Sequence, residues 1–140
     1  MKFMLILKST KDSEAGKMPS EESIAAMVKY NQEQAKAGIL LDAAGLYPSS
    51  QGARVRFSAG GKKTVIDGPF AESKELVGGY WLIQAKSLEE AIEWAKRAPM
   101  SDGDTIEVRQ VQGLADFPAD VQDLLAKRYE ALKKEAAARA

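Results

Sequence analysis

The chain has 140 residues with no cysteine and no histidine, and its 20 basic and 20 acidic side chains cancel to a formal net charge of zero. The missing residue types exclude disulfides, thiolate zinc sites, cysteine nucleophiles and every mechanism in which imidazole is the base or a metal ligand. A zero net charge and the lack of a Lys/Arg cluster with interleaved aromatics argue against nucleic acid, and the apolar runs are too short to cross a membrane. We therefore expect a cytoplasmic protein, of a length that suits one domain, that binds neither nucleic acid nor membrane.

The first part of the chain predicts a strand, a loop and a helix. Residues 2–8 form a mostly apolar run whose length suits a buried strand, and residues 9–19 are polar and predict a loop. Residues 20–37 predict a helix with Ser20 as its N-cap and Gly38 just beyond its end. Its expected inner face consists of residues at helical spacing with one amide among them: Ile24, Met27, Val28, Asn31 and Ala35.

The middle of the chain is typical of strands and turns. Residues 39–47 are again strand-like, and residues 53–66 predict a hairpin because apolar and polar residues alternate on both sides of a glycine turn. Residues 67–79 show no periodicity. Residues 80–85 predict another strand.

The last part predicts a helix, a strand and a further helix. Ser87 and Glu90 form a capping box that opens a helix, and Pro99 marks its end. Residues 105–111 alternate as a strand does, and residues 116–138 predict a third helix with acids near its start and bases near its end.

This order, βαβ, hairpin, βαβ and an extra helix, predicts an α+β, ferredoxin-like fold with an antiparallel sheet. We expect residues 1–112 to form that domain and residues 113–140 a C-terminal helical extension. A sheet with helices on one face leaves its other face open, and a second copy of the chain is the simplest cover. The pattern therefore predicts a homodimer.

One stretch of sequence resembles a known family. The run DGPFAESKE at residues 67–75, the strand GGYWLI after it, the helix with LEEA and WA, and the strand EVR resemble the YCII-related family, specifically its DGPF branch. The resemblance covers about residues 1–112, and the third helix lies outside it. It implies a dimeric α+β barrel in which two ferredoxin-like sheets pack face to face around clefts.

The resemblance leaves the activity open. Most DGPF members have no established activity, whereas relatives in the wider superfamily include dehydrochlorinases and muconolactone isomerase-like proteins. The His–Asp pair proposed as the catalytic unit of some relatives cannot operate in a chain without histidine. Other DGPF members are encoded beside, or fused to, sigma factors of the extracytoplasmic-function type, which indicates a regulatory use.

Two acids are the candidate catalytic residues. Asp67, at a strand end, could act as a general base or accept a hydrogen bond from a substrate, or its carboxylate could cap the turn made by Gly68 and Pro69. Asp42 lies inside an apolar run, and a buried carboxylate must be paired or protonated, as active-site acids often are. The alternative for Asp42 is an exposed position at a strand edge, or an ion pair with Arg54, Arg56 or Arg109.

Four further residues are candidates for substrate binding. Phe70 could line a pocket or anchor its loop in the core, and Asn31 could form a hydrogen bond into the cleft or satisfy a loop backbone. Tyr80 and Trp81 face opposite sides of their strand, and the Tyr80 hydroxyl could donate to a bound carbonyl. Arg109 could anchor a carboxylate or form a surface ion pair. The charged run Glu72, Lys74 and Glu75 predicts a solvated loop face.

No metal or cofactor is expected, because the chain has neither a calcium-loop pattern nor a glycine-rich nucleotide motif. The sequence predicts a cleft for a small polar or aromatic molecule, with carboxylate-assisted proton transfer of an isomerase-like or lyase-like kind. The alternative is a non-catalytic regulatory or protein-interaction module, in which the DGPF stretch is structural or docks a protein. The resemblance would link such a module to sigma-factor regulation.

Overall fold

The computed structural model describes residues 1–71 and 75–139. It divides into two compact units, Met1–Gln110 and Val111–Ala140. In chain order the elements are β1 (Lys2–Lys8), α1 (Lys11–Glu14), α2 (Glu21–Lys36), β2 (Leu40–Gly45), β3 (Ala53–Phe57), β4 (Lys63–Asp67), β5 (Val77–Gln84), α3 (Leu88–Lys96), β6 (Ile106–Gln110) and α4 (Ala119–Arg139). In this described part of the chain, no helix is long and apolar enough to cross a membrane.

The first unit is built on a four-stranded antiparallel sheet with the strand order β2-β5-β1-β6. This order, with α2 and α3 in the two crossovers, is ferredoxin-like, so the predicted α+β fold is confirmed. Strands β3 and β4 form the predicted hairpin, a two-stranded sheet that takes in no further strand of the described residues. The second unit holds α4, and the division of the chain into domains at residue 112 stays a prediction.

The core lies between the sheet and its helices. Alternate residues of β1 and β5 face the helices and are buried there: Phe3, Leu5, Trp81 and Ile83. Tyr30 of α2 packs edge-on against Trp81, with ring centroids 5.4 Å apart and planes at 90°, and its hydroxyl donates to the Trp94 carbonyl at 2.7 Å. This contact fixes α2 over the central strands.

The opposite side of the sheet carries a half-buried apolar stripe. Strand alternation places Met4, Ile6, Tyr80 and Leu82 there, and cross-strand pairing puts Ile6 beside Tyr80 and Met4 beside Leu82. We call this surface the open face. No helix of the first unit packs its buried residues against it among the described residues.

The predicted loop at residues 9–19 is wrong in part, because α1 forms there. Thr10 Oγ1 accepts from the Ser13 amide at 3.1 Å, and Ser13 Oγ accepts from the Thr10 amide at 2.8 Å. These two reciprocal bonds satisfy backbone donors at the helix start and stabilise one helical turn in a polar segment.

The bounds of α2 and its Ser20 cap are confirmed, but its predicted inner face is wrong in part. Ile24 is 45% exposed and Val28 is 49% exposed, whereas Tyr30 and Gln34 are buried. The packing of the large Tyr30 ring on Trp81 rotates the buried stripe away from the two aliphatic side chains. The aromatic contact, and not the hydrophobicity of Ile24 and Val28, therefore determines which face of α2 is buried.

Strand β5 begins at Val77, three residues before the predicted start. The pattern missed Val77, Gly78 and Gly79. Glycine carries no side chain to pack on a sheet, so two glycines near the start of a strand remove the alternating signal there. Both glycines line a cavity between the sheet and α2.

Candidate functional site

A cavity of about 270 Å³ lies between α2 and the sheet. Its floor is a row of cross-strand neighbours, Leu7, Gly79 and Gly45, in which two of the three positions lack a side chain. Met27 and Asn31 of α2 form the opposite wall. The hollow thus exists because glycines from β2 and β5 meet beneath the helix.

The structure requires glycine at one of the two floor positions and not at the other. A Cβ atom on Gly79 would lie 2.8 Å from the Ala44 carbonyl oxygen, so the backbone approach requires glycine there. A Cβ atom on Gly45 would meet nothing within 4 Å. A side chain at Gly45 would therefore enter open space.

Asn31 supplies the polar side chain of the cavity wall. Its Oδ1 accepts a hydrogen bond from Trp81 Nε1 at 2.8 Å, and Trp81 is only 4% exposed. An indole nitrogen can only donate, so this bond fixes which end of the amide faces Trp81. Within residues 1–71 and 75–139, the Asn31 Nδ2 group donates no hydrogen bond. The sequence placed Asn31 at a cleft, and it lies at this wall.

The remaining wall is uncharged. Trp81, Leu7 and Met27 contribute apolar surface, and no charged side chain lines the cavity in the described part of the chain. A site of this kind favours an apolar body and places few polar contacts on it.

Asp42 and Tyr80 form a pair on the open face. The Tyr80 hydroxyl donates to Asp42 Oδ2 at 2.9 Å, and the Ala43 amide donates to Asp42 Oδ1 at 2.9 Å. The hydrogen bond to Asp42, and then its negative charge, raise the pKa of the Tyr80 hydroxyl. The Tyr80 hydroxyl hydrogen is therefore used in the hydrogen bond to Asp42.

For Asp42 the sequence left two positions open, buried within an apolar run or exposed at a strand edge. Asp42 is exposed, because β2 is an edge strand and its pairing with β5 is irregular between Leu40 and Asp42. The acid corresponds to the second possibility, an exposed residue at a strand edge. Its partner is a tyrosine and not an arginine.

Asp67 lies away from the cavity, at the exposed end of β4. The residues 67–70, which we call the DGPF loop, pack against the turn that follows β2. A Cβ atom on Gly68 would lie 1.6 Å from the Ser49 carbonyl oxygen, so only glycine fits there. The half-buried Phe70 ring lies under the Arg54 guanidinium, whose central carbon Cζ is 3.9 Å from the ring centroid. Neither Asp67 nor Phe70 lines the cavity.

Glu14 and Ser49 hold this loop and were missed by the sequence analysis. Glu14 Oε2 accepts from the Ser49 amide at 2.9 Å, and Oε1 accepts from the Ser49 hydroxyl. The Ser49 hydroxyl in turn accepts from the Phe70 amide at 3.0 Å. The hydrogen bond from the Ser49 side chain, and then that from its backbone, lower the pKa of Glu14. No local pattern could indicate contacts across 35 and 21 residues.

Arg109 lies on the sheet side that carries the open face and forms an ion pair there. Its Nη1 is 3.2 Å from Glu107 Oε2, and Lys8 Nζ is 3.6 Å from Glu107 Oε1. The hydrogen bond from Arg109, followed by the charge of Lys8, lowers the pKa of Glu107. This is surface ion pairing on strands, away from the cavity.

The structure thus separates the predicted site residues. Asn31 and Tyr80 are among the residues lining the cavity, Asp42 joins Tyr80, and the DGPF loop and Arg109 lie elsewhere. The predicted solvated face at Glu72 and Lys74 lies outside the described residues, and Glu75 is exposed. The residues that are described contain no cluster of three or more acidic side chains that could hold a metal ion.

Comparisons with known proteins give one family and two similar proteins. The profile of the YCII-related domain matches residues 1–115. An uncharacterized protein of Rhizobium meliloti (strain 1021) is 38% identical over 80 residues, which is 57% of this chain and 64% of that relative, so the chain spans less than two-thirds of the relative's length. A 5-chloro-2-hydroxyhydroquinone dehydrochlorinase from Burkholderia phenoliruptrix AC1100, solved with 2,5-dihydroxybenzoquinone, is 15% identical. The match covers 81% of this chain and 96% of that one, at a TM-score of 0.41.

Proposed function

Because the chain belongs to the YCII-related domain family, we propose that it is a homodimer whose subunits each bind a small molecule in the cavity beneath α2. The observation that carries the proposal is the glycine floor. The hollow opens to solvent at the exposed Gly45, where a larger side chain would fit without a backbone clash. A concave and largely apolar hollow that contains one fixed polar side chain supports a binding role.

A thermal-shift screen of lactones, phenols, small carboxylates and sugar acids tests the binding. A ligand at about 100 times its Kd adds about 2.7 kcal/mol, which raises the melting temperature of a domain this size by several degrees. We expect hits with the wild type that Gly45→Leu abolishes, because leucine would occupy the cavity. Gly45→Ala is the matched control, since it removes the glycine but leaves most of the volume.

The homodimer is supported by the open face. Four neighbouring apolar or aromatic side chains lie half-buried on a sheet surface that no helix of the first unit covers among the described residues: Met4, Ile6, Tyr80 and Leu82. A second copy would remove this stripe from water, which is favourable in proportion to the apolar area. Light scattering on the purified chain tests it, and a monomer would contradict it.

The activity predicted from the sequence, carboxylate-assisted isomerase-like or lyase-like proton transfer, is a separate part of the proposal. Its candidate is Asp42, which holds the Tyr80 hydroxyl on the open face. A second copy packed there would exclude water from the pair and strengthen its electrostatics. Asp67 has no comparable partner among the described residues.

The test of this activity uses a compound that the screen has identified. Asp42→Asn should abolish turnover of a compound that binds against the open face, which is recognised because Gly45→Leu leaves its thermal shift unchanged, since Asp42 and the cavity lie on opposite sides of the sheet. Turnover that survives this change would remove Asp42 from the proposal and leave the binding function standing.

A second function, a regulatory or protein-interaction module, is favoured by the hairpin. Val55, Phe57 and Val65 share one of its faces, and Phe57 is 73% exposed. Exposed apolar groups of this kind often contact other proteins. If no ligand of the panel shifts the melting temperature, although the wild type and the variants are folded, the result would favour this module. We propose that the protein is cytoplasmic, which cell fractionation tests.

A further inference from the structure

We infer that the cavity takes an uncharged, single-ring molecule whose carbonyl oxygen is bound by the side-chain amide of Asn31. The inference rests on the proposed small-molecule site and narrows its ligand to one chemical class. It names Asn31 as the residue that determines specificity.

The first step is the orientation of the amide. Trp81 Nε1 donates to Asn31 Oδ1 at 2.8 Å, so the Nδ2 end, with its two N–H groups, points away from Trp81. Trp81 is itself fixed, since its ring packs edge-on against Tyr30 at 5.4 Å. The donor is therefore held in place before any ligand arrives, and a preorganised donor costs less ordering entropy on binding.

The second step is the charge of the ligand. The described residues that line the cavity carry no charged side chain. A carboxylate or ammonium would lose its water without gaining a counter-charge, and burying an unpaired charge is costly. A neutral carbonyl needs only the hydrogen bond that Nδ2 can supply.

The third step is the shape of the ligand. Trp81, Met27 and Leu7 line the hollow, which is about 270 Å³ in volume. An indole ring and a thioether are good partners for an aromatic ring. The cavity therefore suits one ring with a polar group at the end that meets Asn31.

Three probes of similar shape test these steps: acetophenone is neutral with a carbonyl, ethylbenzene is neutral without an acceptor, and benzoate is charged. Binding is followed in ¹H–¹⁵N spectra through the indole signal of Trp81, with Trp94 as the internal reference. One net hydrogen bond corresponds to an affinity ratio of up to about tenfold. We expect acetophenone to bind about tenfold more tightly than ethylbenzene, and benzoate to bind at least about tenfold more weakly than acetophenone.

Two variants assign the preference to Asn31. Asn31→Leu should bring acetophenone to the affinity of ethylbenzene. Asn31→Asp keeps an oxygen for the Trp81 indole and replaces the Nδ2 donors by a carboxylate oxygen that repels a carbonyl oxygen at neutral pH, so it should also lose the preference. A preference for acetophenone that survives either folded variant overturns the inference, as does benzoate binding most tightly.

Failure of the inference differs from failure of the proposed function. If ethylbenzene and acetophenone bind the wild type equally and Gly45→Leu excludes both, the cavity is a binding site but Asn31 does not select its ligand. If no probe binds the wild type, or if Gly45→Leu changes nothing, the cavity itself is not the site and both are overturned.

Discussion

Asn31 is a polar residue on the apolar side of α2, and its contact with Trp81 explains its place. Asn31→Leu removes the only acceptor that the described residues offer the buried indole N–H. Leaving a buried donor unsatisfied costs about 1–3 kcal/mol, so we expect the free energy of unfolding in urea to fall by about that amount. Gln32→Leu is the matched control, because Gln32 is exposed on the same helix and its replacement should be nearly neutral. Equal losses in the two variants would show that the indole contact contributes nothing.

Two glycines give opposite expectations for the same substitution. Gly68→Ala forces a Cβ atom to 1.6 Å from the Ser49 carbonyl oxygen, so the DGPF loop must move, and we expect a loss of about 2–4 kcal/mol. Gly45→Ala meets nothing within 4 Å and gives a strand a better residue, so it should stabilise by about 0.5–1 kcal/mol. Urea unfolding of both variants measures the difference. A mild effect at Gly68 would mean that the turn at Ser49 yields easily.

At the scale of elements, one carboxylate joins α1 to the DGPF loop. Hydrogen bonds from Ser49 lower the pKa of Glu14 in the folded state. A lowered pKa stabilises the fold above the unfolded value of about 4.3, and this contribution is lost as the pH falls through the folded value. We expect Glu14→Gln to be less stable than the wild type at pH 6, with the gap closing toward pH 2.

Denaturant unfolding at several pH values measures this gap. The difference in unfolding free energy between the wild type and Glu14→Gln isolates the contribution of Glu14. Glu107, whose pKa is also lowered, contributes with the same sign to both proteins. Glu33→Gln, at an exposed position in the last turn of α2, is the control, and it should show no loss of stability relative to the wild type at pH 6. A gap for Glu14→Gln that is constant with pH would assign the effect to packing.

The elements themselves were largely predictable because their signals are local. The apolar run of β1, the Ser20 cap of α2 and the alternation of the hairpin all lie within a few residues. The errors arise where distant contacts decide: Tyr30 turns α2 toward Trp81, and the sheet order puts Asp42 on an edge strand. The cavity was hidden for the same reason, since only the register brings Gly45 beside Gly79.

At the scale of the whole molecule, the open face decides whether the chain acts alone. Ile6 lies near its centre, paired across strands with Tyr80 on one side and Glu107 on the other. Ile6→Lys would leave an isolated subunit folded, because the new ammonium can reach Glu107. In a dimer packed on this face the same charge would be desolvated, and we expect the dimer to weaken by at least about 30-fold.

Sedimentation over a range of concentrations measures that change, and circular dichroism confirms that the variant is folded. Val65→Lys makes the same substitution on the hairpin, where the side chain is 65% exposed, and should leave the dimer intact. A dimer that survives Ile6→Lys but dissociates in Val65→Lys would put the hairpin at the interface. The open face would then need another cover, and the exposed pair of Asp42 and Tyr80 would lose the water-free surroundings on which its proposed chemistry depends.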